Sequence, residues 1–359
     1  MAKLIDGLSR GGLNVGVAFL GKLDESDRGS AGAGLAGLCD LGFEPPDPPF
    51  GSALDAFDSE PVASRFWEIA RRLRPSAILV EYVRFAYVAE HAATMADPRP
   101  LLILDTHDVM HERAASFAAH GASHWVAIDR ATESRALEPF DAVVAIQHAD
   151  ARTLRSMGPD GARVVVAPHA IDGPADPPGW AGPSAGFIGV DNAPNTDALR
   201  TITDQIMPRV RRDVPEASLT VAGGVSRRVD APTAWADAIG ELGDLAPFHR
   251  RYSVMLNPVR MGGGLKIKNV EALAHGRPVV TTPLGAAGLE EGAGRCVLVG
   301  ESARELAACT RALLSDRDRW ESAAASALEL ARARFSVDAA PRELLGLVRA
   351  WPVTQGAAA

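Results

Sequence analysis

The chain has 359 residues, enough for two domains of ordinary size rather than one core, and its hydrophobic content of 47% is that of a globular protein. A net charge of −8 argues against nucleic acid or an anionic membrane surface as a general partner. No apolar run approaches the ~18 residues of a spanning helix, the N-terminus lacks a secretory layout, and the three scattered cysteines, Cys39, Cys296 and Cys309, fit reduced thiols rather than disulfides or a zinc site. The expected location is the cytoplasm, free or peripheral at the inner membrane.

In chain order, Met1–Arg10 reads as the end of a helix and leads directly into a strand over Leu13–Leu20. Apolar strands follow over Ala77–Val80, Leu101–Leu104, Ala142–Ile146 and Val164–Ala167, with helical segments between them. This alternation predicts a parallel sheet covered by helices on both faces. The stretch Asp172–Pro183 is so rich in proline and glycine that it reads as a linker. A second set of strands, Phe187–Val190, Leu219–Ala222, Val254–Leu256, Val279–Thr281 and Cys296–Val299, predicts a second sheet, and Ala324–Arg334 an alanine-rich helix. The expected division is a first domain over 1–172, a linker over 173–184, a second domain over 185–335, and a C-terminal helix and tail over 336–359. Ligands of open α/β sheets bind beyond the carboxyl ends of the strands. Two such sheets across a hinge therefore predict a cleft between Asp105–Asp108 and Gly262–Glu271.

The most informative stretch is Asn257–Thr282, in which three glycines, two lysines and a carboxylate surround the start of a short helix. Gly262, Gly263 and Gly264 free the backbone, while Ile267, Val270, Leu273 and Ala274 recur at helical spacing until Gly276-Arg277-Pro278. A strand entering a helix through glycine gathers unpaired N–H groups at the positive end of the helix dipole, and absent side chains let a phosphate approach. Lys266 and Lys268 add full charges, and Glu271 borders the buried stripe, where a pair of sugar hydroxyls would satisfy it. Taken alone, Lys268 and Glu271 would read as a surface pair and the glycines as a turn. Arg227-Arg228, where a strand ends in glycines, is a further candidate for a place near a phosphate or base.

In the first half, Leu101–Arg113 is a strand ending in ionisable side chains: Asp105, His107, Asp108, His111, Glu112 and Arg113. As an isolated cluster, Asp105 or Asp108 would cap the following helix and His107 would be structural; His111 is expected on the helix surface.

The run Gly-Gly-Gly-Leu-Lys-Ile-Lys…Glu-Ala-Leu-Ala-x-Gly-x-Pro-Val-Val-x-Thr, with Gly285-Ala-Ala-Gly288-Leu, resembles the donor-binding domain of the GT-B glycosyltransferases of family 4, the bacterial "group 1" transferases. The likeness covers Ala185 to about Phe335. Asp105-x-His-Asp-Val…Arg113 resembles the signature of a subgroup of that family. The resemblance implies an α/β GT-B fold, two Rossmann-like domains facing across a cleft, and a retaining, metal-independent enzyme with no cofactor besides its substrate. That substrate is a nucleoside diphosphate sugar, and the acceptor is a small molecule, a lipid-linked compound or a glycan in polysaccharide or glycosylated-metabolite synthesis. It places the diphosphate on Gly262, Gly263, Gly264, Leu265, Lys266 and Lys268, the ribose on Glu271, and Thr282 and Gly285 along the cleft. It carries His107 to the transferred sugar or acceptor, with Asp105 or Asp108 orienting it and Arg113 near the phosphate or acceptor.

Two departures from the family pattern stand out. Gly263 occupies the place where many members carry a second carboxylate, so one donor-sugar contact is expected from backbone or from elsewhere. The first strand and its glycine-rich loop are missing ahead of Met1–Arg10, which predicts a misassigned start or a degenerate or partner-completed enzyme, with an exposed sheet edge as a route to a homodimer. The alternatives are a GT-B epimerase or phosphorylase and a non-catalytic GT-B-like binding or scaffold protein.

Overall fold

The computed structural model describes residues 2–20, 35–45, 47–94, 99–158, 163–229 and 235–351. Two compact units form, Met1–Ala170 with Ala340–Ala359, and Ile171–Ala339. The first contains α1 (Ala2–Arg10), β1 (Val15–Phe19), β2 (Leu35–Asp40), β3 (Ser52–Ala53), α2 (Glu60–Leu73), β4 (Ala77–Glu81), β5 (Leu101–Asp105), α3 (Met110–Ala118), β6 (Val126–Ala127), α4 (Arg130–Leu137), β7 (Ala142–Ala145), α5 (His148–Arg155) and β8 (Arg163–Val166). Its main sheet is parallel in the order β4-β5-β7-β8. Every residue of Leu-Leu-Ile-Leu-Asp in β5 and Ala-Val-Val-Ala in β7 is buried, because both faces are covered, whereas β4 alternates as an edge strand does. On one face Leu8 and the C-terminal Leu344, Leu345 and Leu347 pack on Leu101, Ile103, Ala142 and Val144. On the other, Val62, Trp67, Leu102, Leu104 and Val143 form a larger core, in which the Trp67 indole N–H donates to the Val88 carbonyl at 2.7 Å.

Among the described residues the strand β1 pairs only with β2, and β3 only with β6. Leu13 and Val15 share an apolar cluster with Ala77 and Leu79 of β4, yet among the described residues no ladder joins β1 or β2 to the main sheet.

The second unit runs β9 (Ser184–Ile188), α6 (Ala193–Arg200), a π-helical turn over Thr201–Ile206, α7 (Met207–Asp213), β10 (Ser218–Ala222), β11 (Ala236–Ala238), α8 (Ala246–His249), β12 (Val254–Asn257), α9 (Ile267–Ala274), β13 (Val279–Thr281), β14 (Val297–Val299), α10 (Ala303–Leu314) and α11 (Arg317–Arg334). All six strands are parallel, in the order β11-β10-β9-β12-β13-β14. The chain leaves β9 toward one edge and β12 toward the other. Their carboxyl ends therefore flank the switch point where an open α/β sheet receives its ligand.

Residues 173–184, expected as a linker, lie in this second unit. Ala181 N–H donates to the Ser253 hydroxyl at 3.0 Å, the fully buried Arg277 reaches the Gly179 carbonyl at 2.8 Å, and Trp180 meets Trp320 edge-on at 5.2 Å. Beyond Ala339 the chain rejoins the first unit through α12 (Arg342–Ala350), whose Glu343 carboxylate accepts from the Val166 N–H at 2.7 Å.

Candidate active site

In the second unit the loop between β12 and α9 is shaped by glycine. Gly264 has a left-handed φ of 60°, and Gly262 a φ of 123° that side-chain-bearing residues rarely adopt. Among the described residues the backbone N–H groups of Gly263, Gly264 and Leu265 have no protein acceptor. They precede the first turn of α9, the arrangement that favours an anion. The Lys266 ammonium folds back onto the Gly263 and Gly264 carbonyls, both at 2.8 Å, and so braces the loop.

Lys268 lies in the first turn of the helix, half-buried, with its ammonium 4.7 Å over the Phe187 ring and donating to the Asn195 side-chain oxygen at 2.6 Å. Burial, then the charge of Lys266, pulls its pKa down to about 7, against a smaller opposing effect of Glu271. A second negative group beside it would restore its charge. Glu271 is half-buried, and its carboxylate has no hydrogen-bond or ion-pair partner among the described residues. Burial raises its pKa, with Lys268 opposing. The pair therefore makes no salt bridge of the surface kind.

Behind this helix, Asn257 donates to Asn269 at 2.9 Å and Asn269 to the Gly285 carbonyl at 2.8 Å, all three being buried. The Thr282 hydroxyl donates to the Val259 carbonyl and accepts from the Gly285 N–H. Both of its hydrogen-bonding roles are used within the loop, so Thr282 holds the site's wall rather than offering a free hydroxyl. A Cβ on Gly285 would run into the Thr281 hydroxyl. Arg227 and Arg228 are exposed and paired with Glu241 at 2.9 Å and Asp191 at 3.0 Å. They bind carboxylates of their own unit.

In the first unit the strand ends β4 and β5 lie in register, Glu81 opposite Asp105. The His107 ring nitrogen Nε2 lies 2.6 Å from Glu81, and the ring stacks on Tyr82 with centroids 3.9 Å apart. Tyr82 and His107 both hold left-handed backbone conformations, with φ of 70° and 59°. Asp105, expected to orient the imidazole, is buried and accepts from the His107 backbone N–H at 3.3 Å. Asp108 pairs with Arg113 at 2.9 Å. The carboxylate on the ring is Glu81, a residue the motif did not include. Its signal was available: the apolar run Ala77–Val80 ends in an acidic residue, as the run before Asp105 does.

Burial pushes the Asp105 carboxyl up to about 7, with Glu81 adding to the effect and His107 opposing it. Burial acts to lower the His107 pKa, but the Glu81 hydrogen bond and the charges of Asp105, Glu81 and Asp108 raise it overall. One ligand atom each of Glu81, Asp105 and His107 falls within 4.8 Å of the others. The 2.6 Å contact is shorter than the ~3 Å that separates neighbouring ligands bonded at about 2.1 Å to one cation, and it matches a charge-assisted hydrogen bond.

His111 is not on the helix surface. Its Nδ1 and its backbone N–H lie 2.7 and 2.8 Å from the fully buried Glu133, which also accepts from the Met110 N–H at 2.7 Å. Glu133 thereby caps α3 from α4, a contact between elements that local sequence does not reveal.

Two family models match the chain: "glycosyltransferase family 4" over residues 1–173 and "glycosyl transferases group 1" over residues 182–316. The chain belongs to this glycosyltransferase family. The transferase superposes on HepE of Anabaena, solved with UDP and glucose, with a TM-score of 0.66 at 13% identity over 98% of this chain and 96% of that one. Sucrose-phosphate synthase of Thermosynechococcus elongatus gives 0.66 at 14% identity over 97% and 91%. Staphylococcal TarM gives 0.62 at 11% identity over 80% of this chain and 59% of its own. At these identities the likeness establishes the GT-B fold. No curated protein sequence matches the transferase. No helix among its described residues is long and apolar enough to cross a membrane.

Proposed function

We propose that the enzyme moves a sugar from a nucleoside diphosphate sugar to an acceptor hydroxyl, with retention of configuration and without a metal ion. The observation that carries this reading is the seat at α9, where unpaired N–H groups, a lysine of lowered pKa and a partnerless carboxylate meet at a strand-order switch. Breaking the bond from sugar to diphosphate develops negative charge on the leaving oxygens. Fixed donors act most strongly where that charge appears, and here they are the Gly263–Leu265 N–H groups with Lys268, on a loop that Lys266 braces. The partnerless Glu271 suits two ribose hydroxyls. HepE has been solved with UDP-glucose, which supports a donor of this class.

His107, held in the first unit, serves the transferred sugar or the acceptor. Asp105 fixes its backbone, and Arg113, paired with Asp108, lies beside it in sequence for a phosphate or acceptor group. Retention is inferred from the family resemblance. The acceptor is a small molecule, a lipid-linked compound or a glycan, the reaction runs in the cytoplasm, and the enzyme associates as a homodimer.

Incubation with a panel of labelled nucleotide sugars and acceptors tests the reading. Acceptor-dependent release of nucleoside diphosphate in the presence of a chelator, with the donor's anomeric configuration kept in the product, is expected. Binding without release on any acceptor would refute it, as would isomerised sugar nucleotide as the product.

A further inference from the structure

The geometry points to Glu81 as a positioning residue that keeps His107 charged and leaves its Nδ1–H as a fixed donor to an oxygen of the bound sugar or acceptor, a role that rests on the reading of His107 above. Three constraints converge on the ring. Nε2 is tied to Glu81 at 2.6 Å, one ring face is covered by Tyr82 at 3.9 Å, and the backbone is held left-handed. Two stacked residues that hold left-handed backbone without being glycine are strained, and they persist where surroundings over-determine them. Here the surroundings do: Tyr82 N–H donates to the Asp105 carbonyl at 2.9 Å, and the Thr106 hydroxyl to the Val144 carbonyl at 3.0 Å.

With Nε2 committed to Glu81, the one hydrogen-bonding atom left on the ring is Nδ1, which has no partner among the described residues. The charged groups around the imidazole are Glu81 on β4, Asp105 on β5, and Asp108 with its partner Arg113 ahead of and within α3. Tyr82 is neutral, and His169, after β8, is kept neutral by burial, foremost, which takes its pKa down to about 4. The balance around the ring is acidic, which favours the imidazolium. As pH rises through the His107 pKa, Nδ1 releases its proton to solvent while Nε2–H stays on Glu81, converting the free atom from donor to acceptor.

The test is a pH titration of the histidine ring nitrogens by NMR on the full chain labelled at histidine, with His107 assigned by the His107→Gln variant, in wild type and Glu81→Gln. The expected result is proton binding at His107 weaker by about tenfold or more in Glu81→Gln, and a neutral wild-type ring protonated at Nε2. Turnover should fall in Glu81→Gln without change in nucleoside diphosphate affinity, and Glu81→Gln/His107→Gln should be no slower than His107→Gln alone. Identical titrations in the two proteins, or additive losses in the double variant, would overturn the proposal. So would saturation of the ring signal by one equivalent of Zn2+, which would make the trio a cation site. The titration needs no substrate, so a changed His107 pKa in a protein without transferase activity would support the role of Glu81 while removing the transferase reading.

Discussion

Binding of a nucleotide sugar should draw a proton onto Lys268, and the amount follows from its surroundings. Burial holds the free side chain near a pKa of about 7, so about nine in ten are neutral at pH 8 and about one in ten at pH 6. A diphosphate lodged at the N-terminus of α9 supplies the counter-charge that the free site lacks, which returns the pKa toward its ordinary 10.5. The sign follows: the bound state holds more protons, so binding takes up about 0.9 proton at pH 8 and about 0.1 at pH 6. Affinity is full below pH 7 and falls with rising pH until the bound-state pKa is passed. A nucleoside diphosphate sugar is the suitable ligand because its phosphodiester groups do not titrate in this range. Calorimetry at pH 8 in two buffers of different ionisation enthalpy reads the uptake directly. Lys268→Met should abolish the uptake and weaken binding by about 1.5–3 kcal/mol, the scale of a hydrogen bond to a charged group. Uptake near zero in the wild-type protein at pH 8, or equal uptake in Lys268→Met, would refute the reasoning.

The neighbouring residues separate by ligand and by step. Glu271→Gln should weaken a ribonucleoside diphosphate while hardly altering inorganic pyrophosphate, which has no ribose; equal losses by calorimetry would place Glu271 at the phosphates. His107→Ala should lower turnover far more than nucleoside diphosphate affinity, a comparison that kcat and a binding titration settle together. Gly285→Ala should destabilise the fold by about 1–3 kcal/mol through overpacking against the Thr281 hydroxyl, seen as a lower urea midpoint with an unchanged m-value.

Much of this architecture was legible in the chain because parallel strands buried on both faces are continuous apolar runs. Leu101–Leu104, Ala142–Ala145 and Val279–Thr281 fall where their composition put them. Leu35–Asp40 did not announce itself, since Leu-Ala-Gly-Leu-Cys-Asp has low strand propensity and forms a strand by pairing with β1. The helix at Ile267–Ala274 and its glycine entry were legible from local pattern alone. Partners brought from elsewhere were not. Glu81 reaches His107 across a strand ladder, Asn195 reaches Lys268 from the first turn of α6, and Glu133 caps α3 from a different helix. Each of these contacts depends on tertiary placement, which periodicity and motif spacing do not encode.

The central claim is that α9 seats a nucleoside diphosphate, and a crystal structure of the protein with one bound tests it most directly. The account predicts diphosphate oxygens on the N–H groups of Gly263–Leu265 and on the Lys268 ammonium, with both ribose hydroxyls on Glu271. A nucleotide bound away from this helix, or a ribose out of reach of Glu271, would contradict it.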